Sequence, residues 1–279
     1  MTGRFIVGFD GSEPSWAALS WALAQGGPVV LAHVVDADSG MIGADFEREA
    51  AERAGRLIDG ALADLAVRHP GAEVAVEVLE GPVAWALTTY AAPGDTLVIG
   101  THKTGFLHGR VLGSRSVEVA ILARCDVMVV PTTDLRFRSG VVAAVADEPG
   151  MRQVVESAAR IAARRGEELL LLHRFGDRGA GTENALVAEA LAIARDAAPD
   201  TVIRTRVSNR HTAELLLDAS RGRALLVLGS GSGDRSRSPI GSVLHDVLLN
   251  LSSPALVAHA PSGSDAASAP EPPAQSLAR

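Results

Sequence analysis

The segment of this chain that is richest in residues capable of chemistry is the run GTHKTGFLHGRVLGS, residues 100–114. It holds four glycines, two histidines and Lys103, the only lysine among 279 residues. The run follows the strand-like TLVIG and leads into a helix predicted to start near Ser114. A glycine-rich turn before a helix N-terminus offers unpaired N–H groups and the positive end of the helix dipole. The segment therefore predicts a site for phosphate.

Two further candidate residues stand at the ends of predicted strands. Asp10 ends the first strand, and Val34 follows His33 near the end of the second. In an open α/β sheet, ligands bind beyond the carboxyl ends of the strands, where the strand order reverses. We therefore expect Asp10, Val34 and the glycine-rich run to meet at one site.

Other motifs in the chain are incomplete. Gly100 and Gly105 have the glycine spacing of a P-loop, but Phe106 and Leu107 stand where that motif requires lysine and serine or threonine. No nucleophile set, metal-ligand spacing or carboxylate pair emerges, so we predict no catalytic residue and no metal site. His33 and His173, at equivalent strand ends, are predicted to be packed and hydrogen-bonded rather than catalytic.

The elements that must position these residues alternate between strands and helices. Five short apolar runs in the first half resemble strands covered on both faces: FIVGF, VVLAHVV, AEVAVEVL, TLVIG and VMVVP. Helical segments lie between them, one marked by an apolar stripe through Phe46, Ala50, Leu57, Ala61 and Leu65. Because parallel neighbours need crossover connections, this alternation predicts an α/β fold with a parallel sheet.

The second half of the chain repeats the first. Asp10 corresponds to Asp147, His33 to His173 and Ser114 to Ser242, at offsets of 137, 140 and 128 residues. We therefore expect two tandem domains, residues 1–137 and 138–262, followed by a disordered tail at 263–279. Their last strands, DVMVVP and PALVAHAP, are expected to pair as an intramolecular pseudo-dimer, because an apolar edge strand left unpaired is a liability.

Composition excludes several classes of protein. With 47% hydrophobic and 21% charged residues, the chain has the composition of a folded soluble protein. Its single cysteine, Cys125, cannot form an internal disulfide, and no run approaches the roughly 20 apolar residues that span a bilayer. We therefore expect a cytoplasmic protein with no membrane partner. The net charge is -7 and neither half is basic, so no nucleic-acid partner is expected.

Five segments together resemble the universal stress protein family in its tandem two-domain form: IVGFDGS, LAHVVD, LVIGTHKTG, GRVLGSRS and DVMVVP. The resemblance implies two Rossmann-like (adenine nucleotide alpha hydrolase-like) domains, each with a five-stranded parallel sheet flanked by helices. Many members bind ATP through the motif G-2x-G-9x-G-(S/T). Gly100 matches its first glycine, and Gly113 with Ser114 matches the closing pair. Lys103 stands in place of the second glycine.

The resemblance also implies roles for individual residues. Asp10 would lie beside the adenosine, Val34 and Ile99 would line the base and ribose pocket, and His102 would flank the phosphates. The N–H groups of Gly113, Ser114 and Arg115, with the Ser116 hydroxyl, would hold the phosphates. The implied ligand is ATP, with or without Mg²⁺, and the implied nucleotide-binding residues are Asp10, Val34, Ile99, Gly100, His102, Lys103, Gly113, Ser114, Arg115 and Ser116. Lys103 either obstructs the backbone approach to phosphate or supplies a charge to it.

The second half departs from this motif. Its loop from Gly229 to Gly241 is one residue shorter, Leu244 replaces the hydroxyl of Ser116, and Arg174 stands where Val34 would line the adenine slot. We therefore predict nucleotide binding in the first domain only, with a regulatory role in the stress response. The alternative is an interaction scaffold in which both pockets are degenerate and bind no nucleotide. The resemblance also leaves a homodimer open.

Overall fold

A computed structural model describes residues 3–36, 44–102, 114–147, 149–176, 180–231 and 242–259. The predicted tail and the segment 103–113 lie outside the described residues.

Strands and helices alternate along the described chain. The first half contains β1 (Phe5–Gly8), α1 (Glu13–Leu23), β2 (Val29–Val35), α2 (Ala44–Arg68), β3 (Val74–Glu80), α3 (Val83–Tyr90), β4 (Thr96–Thr101), α4 (Ser114–Leu122) and β5 (Asp126–Pro131). The second half contains β6 (Val141–Val145), α5 (Met151–Arg165), β7 (Leu169–Arg174), α6 (Ala180–Ala197), β8 (Ile203–Ser208), α7 (Thr212–Ser220), β9 (Leu225–Gly229), α8 (Ser242–Leu249) and β10 (Ala255–Ala258).

All ten strands form one sheet, in the order β3-β2-β1-β4-β5-β10-β9-β6-β7-β8. Within each half the neighbouring strands are parallel, as in the pairing of β1 with both β2 and β4. The chain steps outward from β1 to β3 and then returns to place β4 on the other side of β1. The predicted α/β fold is confirmed, and the strand order reverses between β1 and β4, where such sheets bind ligands.

The two halves join through their last strands. β5 pairs with β10 in antiparallel register, with Val127 opposite Val257 and Val129 opposite Ala255. This pairing satisfies N–H and C=O groups that an edge strand would expose. The apolar layers on both faces of the sheet continue from one half into the other, and all four of these valine and alanine side chains are buried. The sequence thus specifies one continuous ten-stranded sheet.

Helix α1 shows how the sequence fixes a local element beside β1. Ser12 caps its N-terminus and accepts a hydrogen bond from the N–H of Ser15 at 3.4 Å, and Pro14 follows in the first turn. Trp16 packs edge-on against Phe9 with ring centroids 5.2 Å apart, which fixes the helix against the sheet. By contrast, Trp85 of α3 is 59% exposed.

The expectation that the strands are covered on both faces is wrong for β3. This strand lies at one edge of the sheet, and its residues alternate between partial burial and exposure, with Val78 49% exposed. In AEVAVEVL the valines stand at every second position, with Glu73, Ala75 and Glu77 between and before them, which is the pattern of a strand with one more polar face. The continuous apolar pattern instead belongs to β1 and β4, near the centre of the first half, where helices cover both faces.

The single cysteine of the chain is protected from reagents. Cys125 is 4% exposed, and this burial is the main reason why the pKa of its thiol is raised to about 11. Because the thiolate is the reactive form, we expect native protein to react with a chromogenic disulfide reagent at pH 8 at least about a hundredfold more slowly than free cysteine. Full reaction is expected in denaturant. Rapid labelling of the native protein would contradict this burial.

None of the described helices combines the length and the apolar character needed to cross a membrane.

Candidate functional site

A cavity of about 220 Å³ lies beyond the carboxyl ends of β1, β2 and β4. It is at the point where the strand order of the first half reverses. Six of the predicted site residues line this cavity. They come from four separate segments of the chain: Asp10, Val34, Ile99, Gly100, Arg115 and Ser116. The tertiary structure therefore places strand-end residues and the first turn of α4 around one space.

The turn after β1 holds the carboxylate of Asp10 in place. The backbone N–H of Ser12 donates to Asp10 Oδ1 at 3.0 Å, and the Ser12 hydroxyl donates to the same oxygen at 2.5 Å. Gly11 between them has φ of +80°, a left-handed conformation that favours glycine. Burial opposes ionisation of Asp10, but the hydrogen bonds outweigh it, so the pKa of this carboxyl is lowered from 3.8. Asp10 is therefore a fixed anion at neutral pH.

One side of the cavity is apolar. Val34 at the end of β2 and Ile99 at the end of β4 line it together with Val83 and Leu87 of α3. Leu87 and Ile99 are buried, at 2% and 7% exposure, and belong to the layer between the sheet and α3. Such a wall suits a flat, weakly polar group better than a charged one.

His33 anchors the end of β2. Its Nδ1 lies 2.8 Å from the carbonyl oxygen of Phe9, and in the second half the Nδ1 of His173 lies 2.9 Å from the carbonyl of Val145. Because a carbonyl can only accept, Nδ1 carries the proton in each ring. The prediction that both histidines are hydrogen-bonded at equivalent strand ends is confirmed.

The opposite side of the cavity is polar and formed by the start of α4. Arg115 is exposed there, and Ser116 is buried at 6% exposure. The first backbone N–H groups of a helix have no intrahelical partner, and the helix dipole is positive at this end. A guanidinium, a hydroxyl and the N–H groups at the start of a helix can together hold an anion.

Gly100 has a structural role that the sequence did not reveal. A Cβ atom at this position would lie 2.0 Å from the carbonyl oxygen of Pro14, so the first turn of α1 packs directly on the backbone of β4. The corresponding Gly229 has more room, since a Cβ there would be 3.5 Å from Cγ2 of Val154. The motif glycine therefore allows two elements that border the cavity to approach each other.

The structure describes only some of the remaining predicted site residues. His102 directly follows β4 and is exposed, but it is not among the described residues that line the cavity. Ser114 begins α4, and its backbone alone is described. Lys103 and Gly113 lie outside the described residues.

The second half contains an equivalent cavity, and it is larger, about 770 Å³. Asp147, His173 and Gly229 line it at the positions that correspond to Asp10, His33 and Gly100. The sequence did not predict that the half with the altered motif encloses more space, because cavity volume depends on how the helices pack. Among the described residues no group of three His, Cys, Asp or Glu side chains could hold a metal ion.

The sequence of the chain was compared with known proteins, and the matches fall in the family that its motifs resemble. The model of the universal stress protein family matches residues 1–131. A universal stress protein of Mycolicibacterium smegmatis is 28% identical over 280 residues, covering 90% of this chain and 95% of its own length. One from Mycobacterium tuberculosis is 27% identical over 282 residues, covering 91% of this chain and 96% of its own. The first half of the chain thus matches the universal stress protein family, and nearly its whole length is similar to members of that family.

A solved structure shows the same fold over both halves of this chain. A universal stress protein from Archaeoglobus fulgidus superposes with a TM-score of 0.71, covering 92% of this chain and 96% of its own, at 16% sequence identity. At this identity the likeness establishes the fold alone. The overall fold is thus shared with a solved protein of similar length.

Proposed function

We propose that this chain is a universal stress protein that binds an adenine nucleotide, ATP, in the cavity of its first half and acts as a regulator in the stress response. The observation that carries the proposal is that Asp10, Val34, Ile99 and the first turn of α4 line one cavity although they are far apart in the chain. Such a cavity, apolar at one side and anion-binding at the other, suits a nucleoside with phosphates.

In this proposal the nucleoside lies on the strand ends. The base packs between Val34 and Ile99, and Asp10 accepts a hydrogen bond from a ribose hydroxyl. Both hydrogen bonds from Ser12 reach Asp10 at Oδ1, so Oδ2 can accept one from the ligand. The lowered pKa of Asp10 keeps this acceptor ionised.

The phosphates extend from there to the start of α4. The backbone N–H groups at Ser114 and Arg115 and the hydroxyl of Ser116 donate to them, and the Arg115 guanidinium adds a charge. Mg²⁺ would arrive with the phosphates, since it is bound in such sites mainly through phosphate oxygens and water.

Exchange of Lys103 for glycine distinguishes the two roles open to this residue. Weaker ATP binding by the variant would identify Lys103 as a phosphate ligand, and stronger binding would identify it as an obstruction.

We propose binding rather than hydrolysis as the activity of this site, and we retain the division into domains 1–137 and 138–262. The antiparallel pairing of β5 with β10 supports an arrangement of the two domains as an intramolecular pseudo-dimer.

The first experiment is to denature the purified protein and identify released small molecules by mass, followed by calorimetric titration of nucleotide-free protein with ATP. An adenine nucleotide at about one equivalent per chain is the expected result. Absence of both a released nucleotide and a titration signal would favour the interaction scaffold instead.

Exchange of Ser116 for leucine is expected to weaken ATP binding at least about tenfold. The buried hydroxyl is a donor to phosphate, and its loss leaves a charged acceptor with one hydrogen bond fewer, while the larger side chain also fills ligand space. Titration of full-length wild type, Ser116→Ala and Ser116→Leu separates the two effects, since alanine removes the hydroxyl alone. Unchanged affinity in Ser116→Leu would show that ATP does not bind in the first cavity.

A further inference from the structure

The cavity of the second half reverses the placement of polar and apolar side chains. At the end of β7, Arg174 lines it where Val34 lines the first cavity at the end of β2. In the first turn of α8, Val243 and Leu244 line it where Arg115 and Ser116 line the first cavity. At these equivalent positions the polar and apolar side chains have thus exchanged places.

Arg174 lies next to an apolar surface. Alternate residues of a strand share a face, so Arg174 is on the same face of β7 as Leu172. Leu172 belongs to a buried cluster with Leu228 of β9 and Leu244 of α8, each at most 4% exposed. The guanidinium forms no ion pair with any carboxylate of the described residues. An exposed cation with no ion-pair partner among the described residues therefore borders an aliphatic layer.

The volume and lining restrict what this cavity can hold. About 770 Å³ lies within the range of about 300–1,000 Å³ that small-molecule sites occupy. The described apolar lining is aliphatic: Met151, Val154, Leu186, Leu215, Leu228 and Leu244. Asp147 and Glu189 also line the cavity, and the start of α8 offers Val243 and Leu244 in place of Arg115 and Ser116, so several negative charges on one ligand would be poorly compensated. A single negative charge on an aliphatic body meets these conditions.

We propose that the second cavity binds a medium-chain aliphatic monocarboxylate. Its carboxylate pairs with the Arg174 guanidinium, which presents parallel N–H donors that match the two carboxylate oxygens. Its hydrocarbon chain lies along Leu172 and Leu228 and ends against Leu244, where the first half offers a hydroxyl. This ligand differs in class from the nucleotide proposed for the first half, so the two proposals stand or fall separately.

The test is calorimetric titration of the full chain with hexanoate, octanoate and decanoate, in the presence of saturating ATP and without it. We expect one carboxylate per chain, no displacement by ATP, and an affinity that rises about fourfold with each added methylene, because each buries apolar surface. Failure of decanoate to bind, or its displacement by ATP, would overturn the proposal.

Exchange of Arg174 for leucine tests the head group. The affinity for octanoate should fall at least about tenfold, because a charge-assisted hydrogen bond is lost, while octanol should bind as it does to the wild type. Arg206→Leu is the matched control, since Arg206 lies on the neighbouring strand opposite Leu172 and does not line the cavity. Equal octanoate affinity in Arg174→Leu and wild type would refute the pairing.

Exchange of Leu244 for serine tests the apolar end. It should weaken decanoate severalfold, because it replaces aliphatic surface by a hydroxyl, whereas Ser116→Leu in the first cavity should leave decanoate binding unchanged. Thermal unfolding of each variant checks that the fold is retained. A loss of decanoate binding in Ser116→Leu would place the carboxylate in the first cavity and contradict the proposal.

Discussion

Exchange of Gly100 for alanine is expected to lower the free energy of unfolding by about 3 kcal/mol. The added Cβ would lie 2.0 Å from the carbonyl oxygen of Pro14 and 2.2 Å from its carbonyl carbon. These are backbone atoms, so no side-chain rotation can relieve the overlap. Either α1 moves away from β4 or the strand shifts in its register, and both changes disturb the buried layer around Val7 and Val98. Urea denaturation followed by circular dichroism measures the loss.

The repeated fold supplies a matched control for this experiment. Gly229 stands at the equivalent position of the second half, and its added Cβ would lie 3.5 Å from Val154 Cγ2, an ordinary contact. Gly229→Ala should therefore change stability by less than about 1 kcal/mol, and the loss of unfolded-state freedom can make it slightly stabilising. If both variants lose the same stability, the close approach of α1 is not the reason for Gly100.

Exchange of Asp95 for asparagine is expected to lower the free energy of unfolding by about 2–3 kcal/mol. Asp95 is 7% exposed and accepts four hydrogen bonds: Oδ1 from the N–H and Nε of Arg4, and Oδ2 from Nη2 of Arg4 and the N–H of Ala92. An asparagine amide would turn one acceptor into a donor that faces two other donors. These bonds join the start of β1 to the turn before β4, so their loss loosens the centre of the first half.

The same carboxylate predicts a pH dependence. Burial raises the pKa of Asp95, but the hydrogen bonds from Arg4 and Ala92 outweigh it, so the pKa is lowered from 3.8. A group with a lowered folded-state pKa contributes its full stability above its unfolded value, and this contribution is lost as the pH falls through the folded value. The stability difference between wild type and Asp95→Asn should therefore be constant above about pH 5 and shrink below pH 4.

An exposed ion pair provides the control for Asp95. Asp134 accepts from Arg136 at 2.8 Å, close to the 2.9 Å between Arg4 and Asp95, but its side chain is 59% exposed. Asp134→Asn should leave the unfolding midpoint unchanged within error, because solvent screens an exposed pair. A loss equal to that of Asp95→Asn would mean that burial does not decide the strength of these pairs.

The observed bounds of α2 show what sequence periodicity can predict. Its apolar stripe predicts a helix that ends before His69, and the structure places the helix at Ala44–Arg68, with Ala61 and Leu65 buried against the sheet. Periodicity did not predict that β3 and β8 are edge strands. Edge position depends on which strands pair, and pairing is a long-range choice that a single strand sequence does not encode.

The candidate site, like the fold, could be predicted from the sequence only in part. The order of strand ends and the glycine-rich run predicted that Asp10, Val34 and the start of α4 would meet, because parallel strands bring their carboxyl ends to one edge. The sequence could not show that Gly100 touches Pro14, since that contact joins residues 86 positions apart. It also could not show that Trp85 is exposed while Trp16 packs on Phe9.

By itself the sequence determined the alternation of strands and helices, the resemblance of its two halves and the residue types at the strand ends, because these are local properties of composition and spacing. The sequence also predicted that the last strands of the two halves would pair, because an unpaired apolar edge strand is a liability. Only the tertiary structure decided that β5 and β10 pair antiparallel and join ten strands into one sheet. It also decided that the half with the altered motif holds the larger cavity, about 770 Å³ against about 220 Å³. Cavity volume and strand pairing depend on the relative placement of elements remote in the chain, and their physical cause is packing rather than local preference.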